Sequence, residues 1–287
     1  SDLIFLILEI LLKIYKPYLL SLLIIGLLFS NSNTLELGRN NDPRTVNDIS
    51  KLKLLYKKTF WSTISILGPR NVSKLAYPKA LTHLDVKNAV AFTIDDGFCG
   101  ADNPEGDMLE DVRILLDKYN AHATFFVTGS HTYHSDPSEI ENLLIDGHEL
   151  ANHNMYDTPY NKFSINDFLD DLNETSSILT KYTENISNWY RPPHAKMSKN
   201  MYEIIDKNNL QLVLGDVFAN DTAIPDPDWI AKYILNKVKP GSIIIIHMPE
   251  KGVREWNYKA IDLILDGLNK KGLDILTLSE LYAIRSN

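Results

Sequence analysis

From Lys87 onward, short apolar runs alternate with stretches of helical period, and that rhythm leaves few folds open. Apolar runs read as strands at 89–93, 123–128, 148–152, 188–191, 211–215, 243–246 and 273–277, with helical stretches at 107–118, 138–145, 164–182, 198–208, 228–238 and 257–270 between them. Capping-box pairs mark three helix starts: Ser138 with Glu141, Ser164 with Asp167, and Thr277 with Glu280 ahead of a last short helix. Strands that are each followed by a helix argue for a parallel sheet, either closed as an irregular barrel or open and doubly wound.

Length and charge narrow the reading further. A chain of 287 residues, 44% hydrophobic, can bury one large core, and an α/β barrel of roughly 200 to 250 residues is an ordinary single domain. A net charge of −8, with no Lys/Arg cluster interleaved with aromatics, excludes a phosphate-backbone partner. Cys99 is the one cysteine, so no intrachain disulfide exists. With no partner base in view, Cys99 reads as a small buried filler rather than a nucleophile.

The first 33 residues read as a signal or membrane-anchor segment. Leu3 to Ser30 is almost all aliphatic, interrupted by Glu9, Lys13 and Lys16-Pro17. Its uninterrupted part, 18–29, spans about 18 Å as a helix, short of the ~30 Å hydrocarbon core. That suits a signal h-region or part of an anchor, and no recurring polar face supports an amphipathic core helix. Residues 34–85 read as a stalk or linker with a helix near 49–67, and 86–285 as the main domain. Sequons at Asn71, Asn173, Asn185 and Asn220 fit a secreted or membrane-anchored protein whose main domain is extracellular or lumenal.

Candidate chemistry sits at strand ends. The run 91–98 finishes in Asp95 and Asp96, and strand alternation points adjacent side chains to opposite sides, so the two carboxylates serve different partners. Alone, Asp96-Gly97 reads equally well as a turn. In company with His153, Arg191, Asp216 and His247, which also stand at the C-terminal ends of strands, it reads as part of an active face. Parallel α/β folds build their sites at that end.

Four segments carry a resemblance: Thr93-Ile94-Asp95-Asp96-Gly97, Gly147 to His153, Arg191-Pro192-Pro193, and Gly241 to His247. In order and spacing they resemble the successive motifs of the polysaccharide deacetylases, the nodulation-protein B homology domains of carbohydrate esterase family four. The resemblance covers about 86–285. It implies a distorted (β/α) barrel of about seven parallel strands that removes acetyl groups from N-acetylglucosamine units of a chitin-like glycan or peptidoglycan, using one divalent metal. By matching position, Asp95 is the implied general base, Arg191 the residue that orients it, and His247 the general acid. Asp96 and His153 are implied metal ligands.

The chain departs from the family pattern in three places. Asp157 stands where the family usually has a second histidine, which makes the implied ligand set Asp96, His153 and Asp157. That set suits Zn²⁺ and makes Mn²⁺ or Co²⁺ more competitive. Arg191-Pro192-Pro193 runs into His194-Ala195 where an aromatic and a glycine are usual, so Pro193 and His194 are expected to line the substrate pocket, with His194 a candidate replacement ligand. For the aspartate that tunes the acid, Asp216 and Asp221 both qualify, and Asp221 is preferred. Tyr156, Tyr160, Trp189 and Trp256 are candidate sugar platforms. A second function class is a carbohydrate-binding surface protein that has lost turnover through its altered site.

Overall fold

In the computed structural model, residues 51–285 are described except 65–67, 101–102, 104 and 185. The segment read as a signal or anchor, 1–33, and the sequon at Asn185 lie outside the described residues. Among the described residues no helix is long and apolar enough to cross a membrane.

One sheet organises the domain. Its strands are β1 (Ala89–Gly97), β2 (Thr124–Val127), β3 (Glu149–Asn152), β4 (Trp189–Tyr190), β5 (Gln211–Leu212), β6 (Val217–Phe218), β7 (Ile243–His247) and β8 (Asp274–Leu276). They run in the order β5-β4-β3-β2-β1-β7-β6, with β8 paired to β1, and every ladder is parallel. Ala91 pairs with both Ile243 and Leu276. Strand β8 therefore takes the start of the β1 edge that β2 occupies from Thr93 onward. The result is a curled half-barrel of parallel strands. The sequence patterns locate seven of these strands and miss β6, which follows β5 after only four residues.

The α-helices among the described residues are α1 (Lys51–Ile64), α2 (Pro69–Ala76), α3 (Leu109–Lys118), α4 (Pro137–Ile145), α5 (Ile165–Leu179), α6 (Lys199–Lys207), α7 (Pro227–Lys237), α8 (Trp256–Lys270) and α9 (Leu278–Ala283). Ser164 and Thr277 cap α5 and α9 as their sequence contexts suggest. Helix α4 differs: Asp136 accepts from the Ser138 amide, and Pro137 opens the first turn. Proline needs no amide partner there and has its φ already set, so the helix begins one residue before Ser138.

Strand β1 shows how the core aims the site. Val90, Phe92 and Ile94 pack outward with Leu109, Val112 and Leu116 of α3 and Ile261, Ile264 and Leu265 of α8. Ala89 and Ala91 face inward among Phe126, Ala151, Val213 and Ile243. Burying each large side chain contributes roughly 1.5–3 kcal/mol, and a one-residue slip would turn all of them to the wrong face. The same alternation sends Thr93 and Asp95 into the interior.

The described part of the region read as a stalk, 51–85, is built into this body. Two helices, α1 and α2, occupy it where one was expected. Trp61 packs edge-on against Phe218 at 5.4 Å, Lys58 pairs with Asp226, and Arg70 pairs with the buried Asp216 at 2.9 Å. Leu81 then bridges to Val213 and His83 to Ser242, across the open side of the half-barrel. Gly241 makes that crossing possible: at φ 78° its missing Cβ would lie 1.9 Å from the Leu84 carbonyl oxygen.

Candidate active site

At the C-terminal ends of β1, β3, β4 and β7 stand five ionisable side chains, Asp95, Asp96, His153, Arg191 and His247. Asp95 and His247 are direct register partners on adjacent strands. Between Asp95 and Gly97 the β1–β2 register shifts, and Asp96, at φ 59°, is the extra residue. A bulge re-aims a side chain. The two carboxylates therefore have different partners, as alternation predicts, but Asp96 turns toward His153 instead of into the outer helix layer.

Asp95 is held by Arg191. The guanidinium Nη1 donates to Asp95 Oδ1 and, at 2.9 Å, to Thr93 Oγ1, while Nε donates to the Val213 carbonyl at 3.3 Å. The guanidinium also lies over the Phe126 ring, 3.8 Å from its centroid. Arg191 is 1% exposed. Because an uncompensated buried charge is costly, each of the pair requires the other.

His247 is held by Asp221. Its Nδ1–H donates to Asp221 Oδ1 at 3.0 Å, and its backbone amide donates to Oδ2 at 2.8 Å. Asn257 Nδ2 also donates to Asp221 Oδ2, at 2.6 Å, and Trp256 Nε1 donates to the Asp221 carbonyl at 2.9 Å. Burial opposes protonation of His247, but the charge and hydrogen bond of Asp221 outweigh it and carry the imidazole to about 9. Asp221 shifts the opposite way: burial raises it, and His247 more than offsets that. Asp216, the other candidate, is bound to Arg70, Ser242 Oγ and the Ile243 amide, away from His247.

Removing the Asp221 charge isolates this effect. Asp221→Asn is expected to bring His247 from about 9 toward the ordinary value of about 6.5, read by an NMR titration of the His247 ring. A folded-state pKa raised in this way stabilises the fold fully below about 6.5, and the gain is lost as pH rises through about 9. The variant should therefore lose stability near neutrality relative to the parent, and the gap should close above pH 9. An unmoved His247 titration would exclude Asp221 as its tuning group.

Asp96 and His153 form the third group. His153 Nδ1–H donates to the Arg191 carbonyl at 2.7 Å, which leaves Nε2 facing Asp96 Oδ1 at 3.5 Å. A neutral ring presents an acceptor to Asp96 there, a pair that a divalent ion can bridge; without an ion a protonated Nε2 donates to Asp96, which raises the His153 pKa against the effect of burial. Ligands about 2.1 Å from a tetrahedral ion lie roughly 3.4 Å apart, so the donor chemistry and spacing of this pair suit a divalent cation. The other oxygen of Asp96 accepts from Arg254 Nη1 at 2.7 Å. Burial disfavours the charged form of Asp96, but Arg254 and His153 hold its carboxyl well below the usual carboxylate range.

Asp157 does not join this pair. Its Oδ1 lies 3.2 Å from His194 Nε2, and the hydrogen bond to Asp157 raises the His194 pKa against the effect of burial. Among the described residues no three His, Cys, Asp or Glu side chains group closely enough to hold an ion. His194 is exposed, at φ 55°, and Pro193 beneath it is buried. Of the sugar-platform candidates, Tyr156 is 50% exposed and accessible, whereas Tyr160 at 1% and Trp189 at 3% are core residues and cannot stack on a ligand. Trp256 is tied to Asp221.

Arg254, Glu250 and Asn257 belong to the site and were not singled out from the sequence. The available signal was position: Glu250 and Arg254 fall three and seven residues after His247, on the loop leaving a strand's C-terminal end.

Residues 85–213 match the family described as Polysaccharide deacetylase. The peptidoglycan-N-acetylmuramic acid deacetylase PdaC of Bacillus subtilis is 26% identical over 240 residues, covering 84% of this chain and 48% of that protein. Its solved structure superposes with a TM-score of 0.59, over 69% of this chain and 91% of that one. A peptidoglycan-N-acetylglucosamine deacetylase of Bacillus cereus is 25% identical over 196 residues, covering 68% of this chain and 69% of the relative. BA3943 of Bacillus anthracis, described as a CE4 family pseudoenzyme, shares the fold with a TM-score of 0.58 at 22% identity, over 68% of this chain and 65% of that one. The chain spans about half the length of PdaC.

Proposed function

We propose, for a chain whose residues 85–213 belong to the polysaccharide deacetylase family, that it hydrolyses N-acetyl groups from a polysaccharide containing N-acetylglucosamine-type units. The observation that carries this reading is the register pairing of Asp95 with His247, each backed by its own buried counter-charge. A base and an acid then flank one position from neighbouring strands.

In this reading Asp95 accepts a proton from the attacking water. Arg191 balances the charge of Asp95 and aims its carboxylate, as a positioning residue. As the carbon–nitrogen bond breaks, His247 donates its Nε2 proton to the departing amine, and acetate leaves. Asp221 arms the acid by favouring its protonated form. A divalent cation held by Asp96 and His153, with Zn²⁺ the first candidate and Mn²⁺ or Co²⁺ next, would polarise the acetyl carbonyl and acidify the water when bound. Of the two substrates that the resemblance implies, a chitin-like glycan and peptidoglycan, the named relatives favour peptidoglycan. The aliphatic stretch at 3–30 supports work outside the cytosol.

The test is acetate release from a panel of peptidoglycan fragments and N-acetylglucosamine oligomers, with and without a chelator. Release from at least one substrate that a chelator abolishes and Zn²⁺, Mn²⁺ or Co²⁺ restores is the expected result. Full release after exhaustive chelation would remove the cation from the mechanism. One observation favours a second reading, a saccharide-binding protein without turnover: Asp157 is paired to His194 and so does not complete a third ligand position. Glycan binding with no acetate released at any cation concentration would select it.

A further inference from the structure

Arg254 is a buried cation placed directly on the proposed ligand Asp96. It is 2% exposed, at φ 51°, with Nη1 2.7 Å from Asp96 Oδ2 and Nη2 3.6 Å from Glu250 Oε1. Glu250 is itself fully buried. Its other oxygen, Oε2, accepts from the Gly100 amide at 3.0 Å and Asn103 Nδ2 at 2.9 Å. Arg254 Nε and Nη2 and Glu250 Oε1 make no hydrogen bond. One guanidinium thus faces two buried carboxylates from the middle of the site, and it stays charged at every accessible pH because arginine does not deprotonate in proteins.

We propose that Arg254 is a resident counter-cation that competes with a divalent ion for Asp96 and sets the affinity of the Asp96–His153 pair. Two effects of the guanidinium oppose each other. It steadies Asp96, which favours ligation, and it places a positive charge beside any ion bound at Oδ1, which disfavours ligation. The steadying effect is largely redundant. Asp96 is also fixed by the bulge in β1, by His131 donating from Nδ1 to its carbonyl at 3.0 Å, and by His153 facing Oδ1. The repulsion has no substitute, and in a water-poor interior it is weakly screened. Removing the guanidinium would also leave Glu250 as a second uncompensated carboxylate beside the site, adding to the attraction for a divalent ion.

This inference rests on the divalent-cation reading of Asp96 and His153. Its test is Zn²⁺ and Mn²⁺ titration by calorimetry of the full chain, the Arg254→Met variant, and the Arg254→Met/Glu250→Gln double variant. The double variant removes both buried charges and serves if the single one does not fold. Loss of the guanidinium is expected to tighten binding about ten- to a hundredfold, the range that residues around a ligand typically command. Equal or weaker binding by the folded variant would overturn the proposal, because Arg254 would then be a support for Asp96. Failure of the parent and every variant to bind either ion would overturn both this proposal and the divalent reading. Acetate release by the parent, measured in parallel, tells loss of the cation from loss of the deacetylase function.

Discussion

Asp95→Asn is expected to lower acetate release by about 10² to 10⁴, the usual contribution of a positioned general base, while the chain stays folded. Asparagine keeps the shape of the side chain and its ability to accept from Arg191 Nη1 but loses the charge, which costs some stability at the buried Arg191, and with it the capacity to take a proton. Asp96, His153 and their separation of 3.5 Å are untouched, so Zn²⁺ or Mn²⁺ binding should remain within a few-fold of the parent. The matching Asp96→Asn variant should behave oppositely and lose the ion itself. Parallel kinetics and calorimetry separate the two. If both variants lost the cation equally, Asp95 would be a ligand rather than the base, and the division of labour created by the β1 bulge would be misassigned.

Arg191→Met is expected to damage the fold as well as the reaction. The guanidinium touches four residues of the half-barrel interior: Asp95 and Thr93 on β1, Phe126 on β2 and the Val213 carbonyl after β5. Methionine fills much of the volume but leaves the Asp95 charge buried without its partner, a change that costs about 3–5 kcal/mol. For a domain of this size that is a large share of a total stability of about 5–15 kcal/mol. Thermal and urea unfolding should both show it, together with near-complete loss of turnover. Because the deficit comes from a stranded charge, the double variant Arg191→Met/Asp95→Asn should recover part of the stability and none of the activity. If the double variant were no more stable than the single one, lost packing on Phe126 would be the cause.

Several features were legible before any coordinates because they are local. The Ile243–Ile246 run can hardly be other than a buried strand, and a histidine that follows it stands at the strand's C-terminal end. The same reasoning put Asp95, Asp96, His153 and Arg191 at one end of a parallel sheet. Periodicity also located six of the helices to within a few residues, and Ser164 and Thr277 cap theirs through hydrogen bonds spanning three residues. Asp136 escaped because Pro137 moved the first turn of α4 ahead of the expected cap.

What the sequence by itself determined, then, is the set of strands and helices, the face on which the chemistry gathers, and the residue types present there. Periodicity and capping act over a few residues and are written in consecutive positions. Tertiary structure decided the partners: it puts Asp221, the candidate already preferred over Asp216, on His247, and it alone placed Asp157 on His194 rather than beside His153, Arg254 on Asp96, and α1 and α2 in the body. Each of these pairings joins residues 26 to 158 positions apart, or 37 for Asp157 and His194. Such contacts depend on strand order, on a bulge that turns Asp96 inward, and on left-handed backbone at Asp96, His194 and Arg254. None of those has a signature in the spacing of neighbours, because a long-range ion pair is chosen by what burial leaves uncompensated once the whole sheet has closed.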